Sequence, residues 1–183
     1  MDPATGDRRI FLWLLSESYD VFGNVMKYRH KAENLDGLES LPGDVQALER
    51  DRSAAIICRA KYLKSIYYGN TTPNRSISEW QPEPYHGPWL FQVVLDYGDH
   101  DTSTPRIEPD RKWPARQGRF SACTSGFEIR WLRLCRRILM FHHFPENPSD
   151  EPHSVSSASF RYDELDTGTF LTTFTQHGHL QDA

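Results

Sequence analysis

Apolar residues along this chain fall in short runs, many with a period of two, separated by clusters of Gly, Pro, Asn and Asp. Such alternation puts successive side chains on opposite faces and predicts strands, with the breakers supplying the turns. The first run, Ile10 to Tyr19, leads into Asp20-Val21-Phe22-Gly23-Asn24, after which Met26, Tyr28 and His30 alternate with Val25, Lys27 and Arg29. Gly and Asn tolerate positive φ, so this stretch predicts a β-hairpin. Tyr62 to Tyr68 predicts a strand closed by Gly69-Asn70. Trp89 to Tyr97, apolar on both sides, predicts a strand covered on both faces. Val155 to Tyr162 alternates, and Thr169 to Gln176 is rich in Thr and Phe, so both read as strands.

The longest stretch nearly free of turn residues is Gly126 to Pro145, GFEIRWLRLCRRILMFHHFP. Its periodicity is ambiguous. Trp131, Leu134, Ile138 and Phe141 have helical spacing, with Arg130, Arg133 and Arg137 opposite. Phe127, Ile129 and Trp131 instead alternate on one strand face, then Leu132, Leu134, Ile138 and Met140 on the other. The turn-rich 145–152 segment and the alternating 155–162 segment favour a long, bent central strand with 155–162 as its return partner. A bulge near Trp131-Leu132 accounts for the change of phase. A short helix is predicted from Asp44 to Arg50, with Asp44 as its cap. The prolines gather in two predicted loops: Thr71 to Pro88 holds four of the 12, and Asp99 to Gln117 holds Pro105, Pro109 and Pro114. The expected fold is all-β, an antiparallel meander of hairpins with long loops.

Composition narrows the function. The chain has 183 residues, 38% of them hydrophobic, with a mean hydropathy of −0.66, which suits one domain with ample polar surface. Lys and Arg total 21 against 25 acidic residues, so the net charge of −4 gives no global reason to bind nucleic acid or an anionic membrane. Cys58, Cys123 and Cys135 lack a CxxC spacing, and three reduced, mostly buried thiols are expected rather than a zinc site, with one disulfide plus a free thiol as the alternative. Arg8-Arg9 before an apolar run suggests a signal peptide. The run from Ile10 to Leu15 is shorter than the roughly 7–15 apolar residues such a segment needs, so it reads as the first strand.

Candidate chemistry is sparse. His142 and His143 are adjacent, and a strand would point them to opposite faces, one in the core and one outside, which is poor geometry for chelation. Asp96, Asp99, His100 and Asp101 suggest a calcium site but lack the glycine and closing carboxylate of an EF-hand, so they read as solvated turn residues. A nucleophilic Cys135–His142 pair has no evident orienting group. Arg130, Arg133, Arg136 and Arg137 are expected to pair with carboxylates on neighbouring strands. No catalytic residue, cofactor or metal is assigned.

Five ordered stretches carry a family resemblance: WLLSESYDVFGNVMKYRHKAEN, YLKSIYYGNTTP, WLFQVVLDYGDHD, GFEIRWLRLCRRILMFHHFPE and SFRYDEL. Together they resemble the middle region of the B component of insecticidal toxin complexes (Tc toxins), a family that includes the Salmonella plasmid virulence protein B. The Tyr19-Asp20-x-x-Gly23-Asn24 element is similar to the tyrosine–aspartate hairpin of Rhs repeats. One departure concerns the loop before Gly126, where the family has Asp-Pro-Phe-Ser and this chain has Gly118-Arg119-Phe120-Ser121.

The resemblance implies a secreted toxin subunit with shell strands of the Rhs type. Its implied partners are an A-component channel and a C component carrying the effector, with no direct membrane insertion. On that basis residues 9–177 form one module, a fragment of a larger protein, between tails at 1–8 and 178–183, and the expected role is non-catalytic and structural. The Salmonella relative ends in an ADP-ribosyltransferase domain that needs Glu-x-Glu, a spacing absent from this sequence. Candidate interface residues are Trp80, Tyr85, Trp89, Phe120, Arg130, Arg133 and Arg137. The rival expectation is a free-standing β-type module binding protein or carbohydrate, using Trp80, Tyr85 and Trp89 as exposed aromatics.

Overall fold

The computed structural model describes residues 12–34, 36–50, 60–74, 83–118, 120–123, 126–146, 151–165 and 167–180. Strands β1 (Glu17–Tyr19) and β2 (Val25–Ala32) form the first hairpin. Gly23 turns it with φ of 86°, and Asp20 accepts the backbone N–H groups of Phe22 and Asn24. A 3-10 turn (Leu38–Ser40) and helix α1 (Gly43–Arg50) follow. Then come β3 (Lys61–Asn70), β4 (Trp89–Asp96), β5 (Phe120–Ala122), β6 (Ile129–Trp131), β7 (Arg137–His142), β8 (His153–Leu165) and β9 (Gly168–Gly178).

Seven strands form one antiparallel sheet in the order β1-β2-β3-β4-β7-β8-β9, while β5 and β6 make a separate ribbon. The meander is sequential apart from one excursion: after β4 the chain leaves the sheet and returns beside the same strand as β7. The all-β antiparallel expectation holds, as do the helix, which begins one residue early at Gly43, and the pairing of the 155–162 segment with the strand before it.

Two expectations change. The stretch from Gly126 to Pro145 is not one bent strand but two, β6 in the small ribbon and β7 in the main sheet. Leu132 and Arg133 are both buried although adjacent, which a regular strand with one solvent face does not allow. The backbone of this crossing is satisfied elsewhere: Leu132 N–H donates to the Tyr62 hydroxyl, its carbonyl accepts from Arg116, and Arg136 N–H donates to Asp96. Likewise, the predicted first strand is ordered as β only from Glu17. Leu12 to Leu15 lies outside it with Trp13 81% exposed, and residues 10–11 fall outside the described set.

The core has two centres. Val94, Leu139 and Phe141 form one, with Ile107 packed against it; Ala60, Tyr62, Tyr97, Trp113 and Ile129 form the other, with Leu95, Phe127, Trp131 and Cys135. Neighbours Val94 and Leu95 project to opposite faces of β4, so the two centres cover the two faces. Loop 99–117 supplies Ile107 to one and Trp113 to the other. That polar, proline-broken loop is therefore a structural strap.

Candidate functional site

A buried cluster of polar side chains surrounds Arg133. Its guanidinium is bidentate to Glu33, with Nε 2.9 and 3.1 Å from the two carboxylate oxygens and Nη2 on Oε1. Nη1 donates to the Trp113 carbonyl at 2.6 Å, Nη2 donates to that of Asn34 at 3.0 Å, and the group lies 4.3 Å from the Trp113 ring centroid. Glu33 also accepts from the Tyr62 hydroxyl at 2.8 Å and from Asn34 N–H. Trp113 Nε1–H donates to Asn34 Oδ1, and Tyr62 meets Tyr97, Trp113 and Trp131 edge to face. Burial foremost, then the Glu33 charge, pushes the Tyr62 phenol up and keeps it a donor. Gly37 closes the site from below, because a Cβ there would lie 2.1 Å from the Trp113 carbonyl oxygen.

A second cluster lies at the end of β4. Asp96 Oδ1 accepts from the backbone N–H groups of Gly98, Asp99 and His100, and its Oδ2 accepts from Arg137 Nε at 2.6 Å. Lys64 Nζ donates to both Asp99 oxygens at 2.8 and 2.9 Å and to the Leu95 carbonyl, and Lys31 reaches Asp99 at 3.3 Å. His100 Nε2 lies 2.9 Å from Lys64 Nζ, and its Nδ1 lies 2.8 Å from the Arg106 carbonyl. The ring is thus a neutral tautomer that donates at Nδ1 and accepts at Nε2. Asp96, Asp99 and His100 are at most 1% exposed, which corrects the expectation of solvated turn residues. Their ligand atoms lie within 4.8 Å of one another, but the Lys64 ammonium sits where a cation would bind.

Electrostatics in this cluster favour the neutral ring. Burial foremost, with the Lys64 charge, lowers the His100 pKa below its usual 6.5, and burial also lowers Lys64. Burial opposes the charge on Asp99, yet the Lys64 hydrogen bonds and charge outweigh it and hold that carboxyl below its usual range. His143 and His30 are lowered as well, again by burial first. A group protonated less readily when folded than when unfolded stabilises the fold above its unfolded pKa and loses that contribution as pH falls towards the folded value. Urea denaturation is therefore expected to show stability falling from pH 7 to pH 5, before the carboxylates titrate. A flat profile over that window would contradict the assigned state of His100.

The other candidates are dispersed. Tyr85 is buried and packs edge-on against half-buried Trp89 at 4.8 Å, so these two do not form the exposed aromatic platform expected of a free-standing module. Trp80 lies outside the described residues. Phe120 pairs with Trp131 in the β5–β6 register. Arg130 joins Glu49 of α1 to Ser121, and Arg136 meets Glu164 at 2.5 Å. Of Arg130, Arg133, Arg136 and Arg137, Arg137 pairs with Asp96 directly across neighbouring main-sheet strands; the other three find their carboxylates on α1, just beyond β2 and on β8. Arg133 is wholly committed inside the core.

Nucleophilic chemistry finds little support in the geometry. Burial pushes the Cys135 thiol up to about 11, the state of an unreactive thiol. Cys135 precedes β7 and His142 closes it, roughly 20 Å apart along extended chain. Cys123 and Cys135 are free thiols, Cys123 exposed and Cys135 half-buried, and Cys58 lies outside the described residues. His142 stacks on Phe91, and His143 meets Gln92 at 3.1 Å; both are half-buried rather than split between core and solvent. Ser157 Oγ and His179 Nε2 lie 2.9 Å apart on β8 and just beyond β9, but among the described residues no carboxylate is bonded to that imidazole.

Glu33, Lys64 and Trp113 went unremarked in the sequence. A signal existed for Trp113, a lone tryptophan in a polar, proline-broken loop, where so large an apolar surface has to be buried.

Comparison with known proteins gives one consistent result. Residues 1–144 match the SpvB family profile, described as Salmonella virulence plasmid 65kDa B protein. The mono(ADP-ribosyl)transferase SpvB of Salmonella typhimurium is 40% identical over 156 residues, which span 83% of this chain and 25% of that protein. The chain thus spans about a quarter of the length of its curated relatives. Among solved structures, the N-terminal domain of effector protein SpvB from S. typhimurium strain LT2 superposes with a TM-score of 0.71 at 36% identity, covering 92% of this chain and 51% of that one. The TcdB2–TccC3 complex gives 0.73 at 31% identity over 92% of this chain and 8% of the matched chain. The Photorhabdus luminescens Tc holotoxin pore gives 0.71 at 31%, covering 90% and 8%.

Proposed function

Because this chain belongs to the SpvB family of Salmonella virulence plasmid 65kDa B proteins, we propose that it is a non-catalytic, structural part of a toxin-complex subunit. The observation that carries this reading is the match of 92% of the chain to one segment of the TcdB2–TccC3 assembly. The internal arrangement supports it. Arg133, Arg137, Lys64 and their carboxylates are spent on holding loop 99–117 to the sheet, which is the work of a scaffold. In this reading the module is secreted with its subunit, contributes strands to or beside the wall enclosing an effector, and faces channel-forming and effector-bearing components. The transferase activity in the name of the Salmonella relative would then reside outside the matched quarter.

A chimera tests the proposal. Residues 12–180 replace the matching segment of TcdB2, and co-purification with TccC3 is measured. An intact complex is the expected result, whereas a soluble chimera that no longer holds TccC3 would sink the structural role. Incubating the isolated chain with labelled NAD and host-cell extract tests the non-catalytic part. No label transfer is expected, and transfer abolished by heat treatment would overturn it.

A further inference from the structure

We propose that the groove between loop 99–117 and strands β7 to β9 binds a small phosphorylated polyol, its phosphoryl group held by Arg137, Ser157, Ser159 and His177. Strand register places these four together. Arg137 opposes Ser159, Leu139 opposes Ser157, and Ser157 opposes His177. Directly opposed residues share a face, as do residues two apart on one strand. All four therefore project from the face of Val94 and Leu139, the face that loop 99–117 covers with Ile107. His179 follows two residues after His177, and its N–H still pairs with the Val155 carbonyl, so it belongs to the same face.

A cavity of about 360 Å³ lies between the loop and this face, lined by Arg137, Ser157, Ser159, His177 and His179, with Thr102 from the loop. Its chemistry is one-sided: each of these side chains can donate a hydrogen bond, and no Asp or Glu lines it. Donors remain to be used. Arg137 commits Nε to Asp96 and Nη2 to the carbonyls of His100 and Asp101, whereas Nη1 makes only a 3.4 Å contact with the Thr102 carbonyl. A guanidinium carries five N–H donors, so one Nη1 hydrogen is left for a ligand. The Ser159 hydroxyl has no hydrogen-bond partner among the described residues. Such a set selects an anion, and a phosphoryl group has enough acceptor oxygens to meet all of it.

A larger cavity of about 750 Å³ adjoins the first, sharing Pro105 and His179 with it, and suits the organic part of the ligand. Ser103, Thr104, Glu108, Glu151 and Ser154 line it, hydroxyls and carboxylates that pair with the hydroxyls of a polyol. The Ser154 hydroxyl is buried and has no hydrogen-bond partner among the described residues, which marks this wall as one that a polar group completes. No Phe, Tyr or Trp lines either cavity, so a nucleobase would have no ring to stack on. A sugar phosphate meets both cavities. Binding of this kind asks for no catalysis and goes beyond the structural role proposed above.

Isothermal titration of the full chain with glucose 6-phosphate, glucose, inorganic phosphate and adenosine monophosphate tests it. Saturable one-to-one binding of glucose 6-phosphate is expected, with weaker, competing binding of inorganic phosphate and none of glucose. His177→Glu sets a carboxylate in the smaller cavity and is expected to abolish binding. Its circular dichroism spectrum should be unchanged, since His177 is exposed. Ser159→Ala is expected to weaken binding about tenfold, the worth of one hydrogen bond to a charged group. The proposal is overturned if the parent binds no glucose 6-phosphate, or if both substitutions leave its affinity unchanged. Equal affinity for inorganic phosphate or for adenosine monophosphate would overturn it as well.

Discussion

Replacing Arg133 with methionine is expected to lower the unfolding free energy by about 3–5 kcal/mol, the cost of leaving a carboxylate buried without its partner. Glu33 would keep the Tyr62 hydroxyl and the Asn34 N–H, two bonds that do not neutralise its charge. The carbonyls of Trp113 and Asn34 would lose their donor as well. For a domain of this length, about 2–4 °C of melting midpoint follows each kcal/mol, so a fall of ~6–20 °C should be seen by calorimetry. The paired replacement Glu33→Leu with Arg133→Met should be less damaging than Arg133→Met alone, because an apolar pair leaves no charge behind. Equal or greater damage in the double variant would show that the arginine acts through packing on Trp113 rather than through the ion pair.

Lys64→Met is expected to have the second large effect, again about 3–5 kcal/mol at neutral pH, since Asp99 is fully buried and, among the described residues, would keep only the Lys31 ammonium at 3.3 Å and the Tyr97 N–H at 3.2 Å. The variant also changes the sign of a pH effect. With Lys64 in place, an added proton on His100 would face an ammonium 2.9 Å away. Without it, that proton would face Asp99, whose Oδ1 lies 3.8 Å from His100 Nε2, and the imidazolium would substitute for the missing cation. The variant's deficit relative to the parent should therefore shrink as pH falls from 7 to 5. A deficit constant across that range would mean that His100 does not couple to this site.

Strands β2, β3, β4, β8 and β9, the hairpin at Asp20 to Asn24 and helix α1 were legible because each is specified locally, by alternation or by turn residues; β5 was not, since its three residues lie in what reads as a loop. The division of the Gly126 to Pro145 stretch was not. The sheet switch at Leu132 depends on the hydroxyl of Tyr62, 70 residues earlier, and on the N–H of Arg116, neither of which appears in any local pattern. The arginines were correctly expected to find carboxylates, but a pairing such as Arg133 with Glu33 is set by tertiary closure. The turn after β4 misled for a related reason. Aspartates in a Gly-containing turn are usually solvated, and here loop 99–117 folds back over them with Ile107 and Trp113 as its two anchors.

The Glu33–Arg133 contact joins residues 100 apart in sequence, whereas the β1–β2 and β8–β9 hairpins are closed by their own turns. Closing long loops costs chain entropy that local pairing avoids. The order of assembly follows: hairpins first, then the sheet, and last the seating of Trp113 between the lysine of β2 and the arginine beyond β6. Tryptophan fluorescence should then report the end of folding, lagging behind the strand signal in the far ultraviolet.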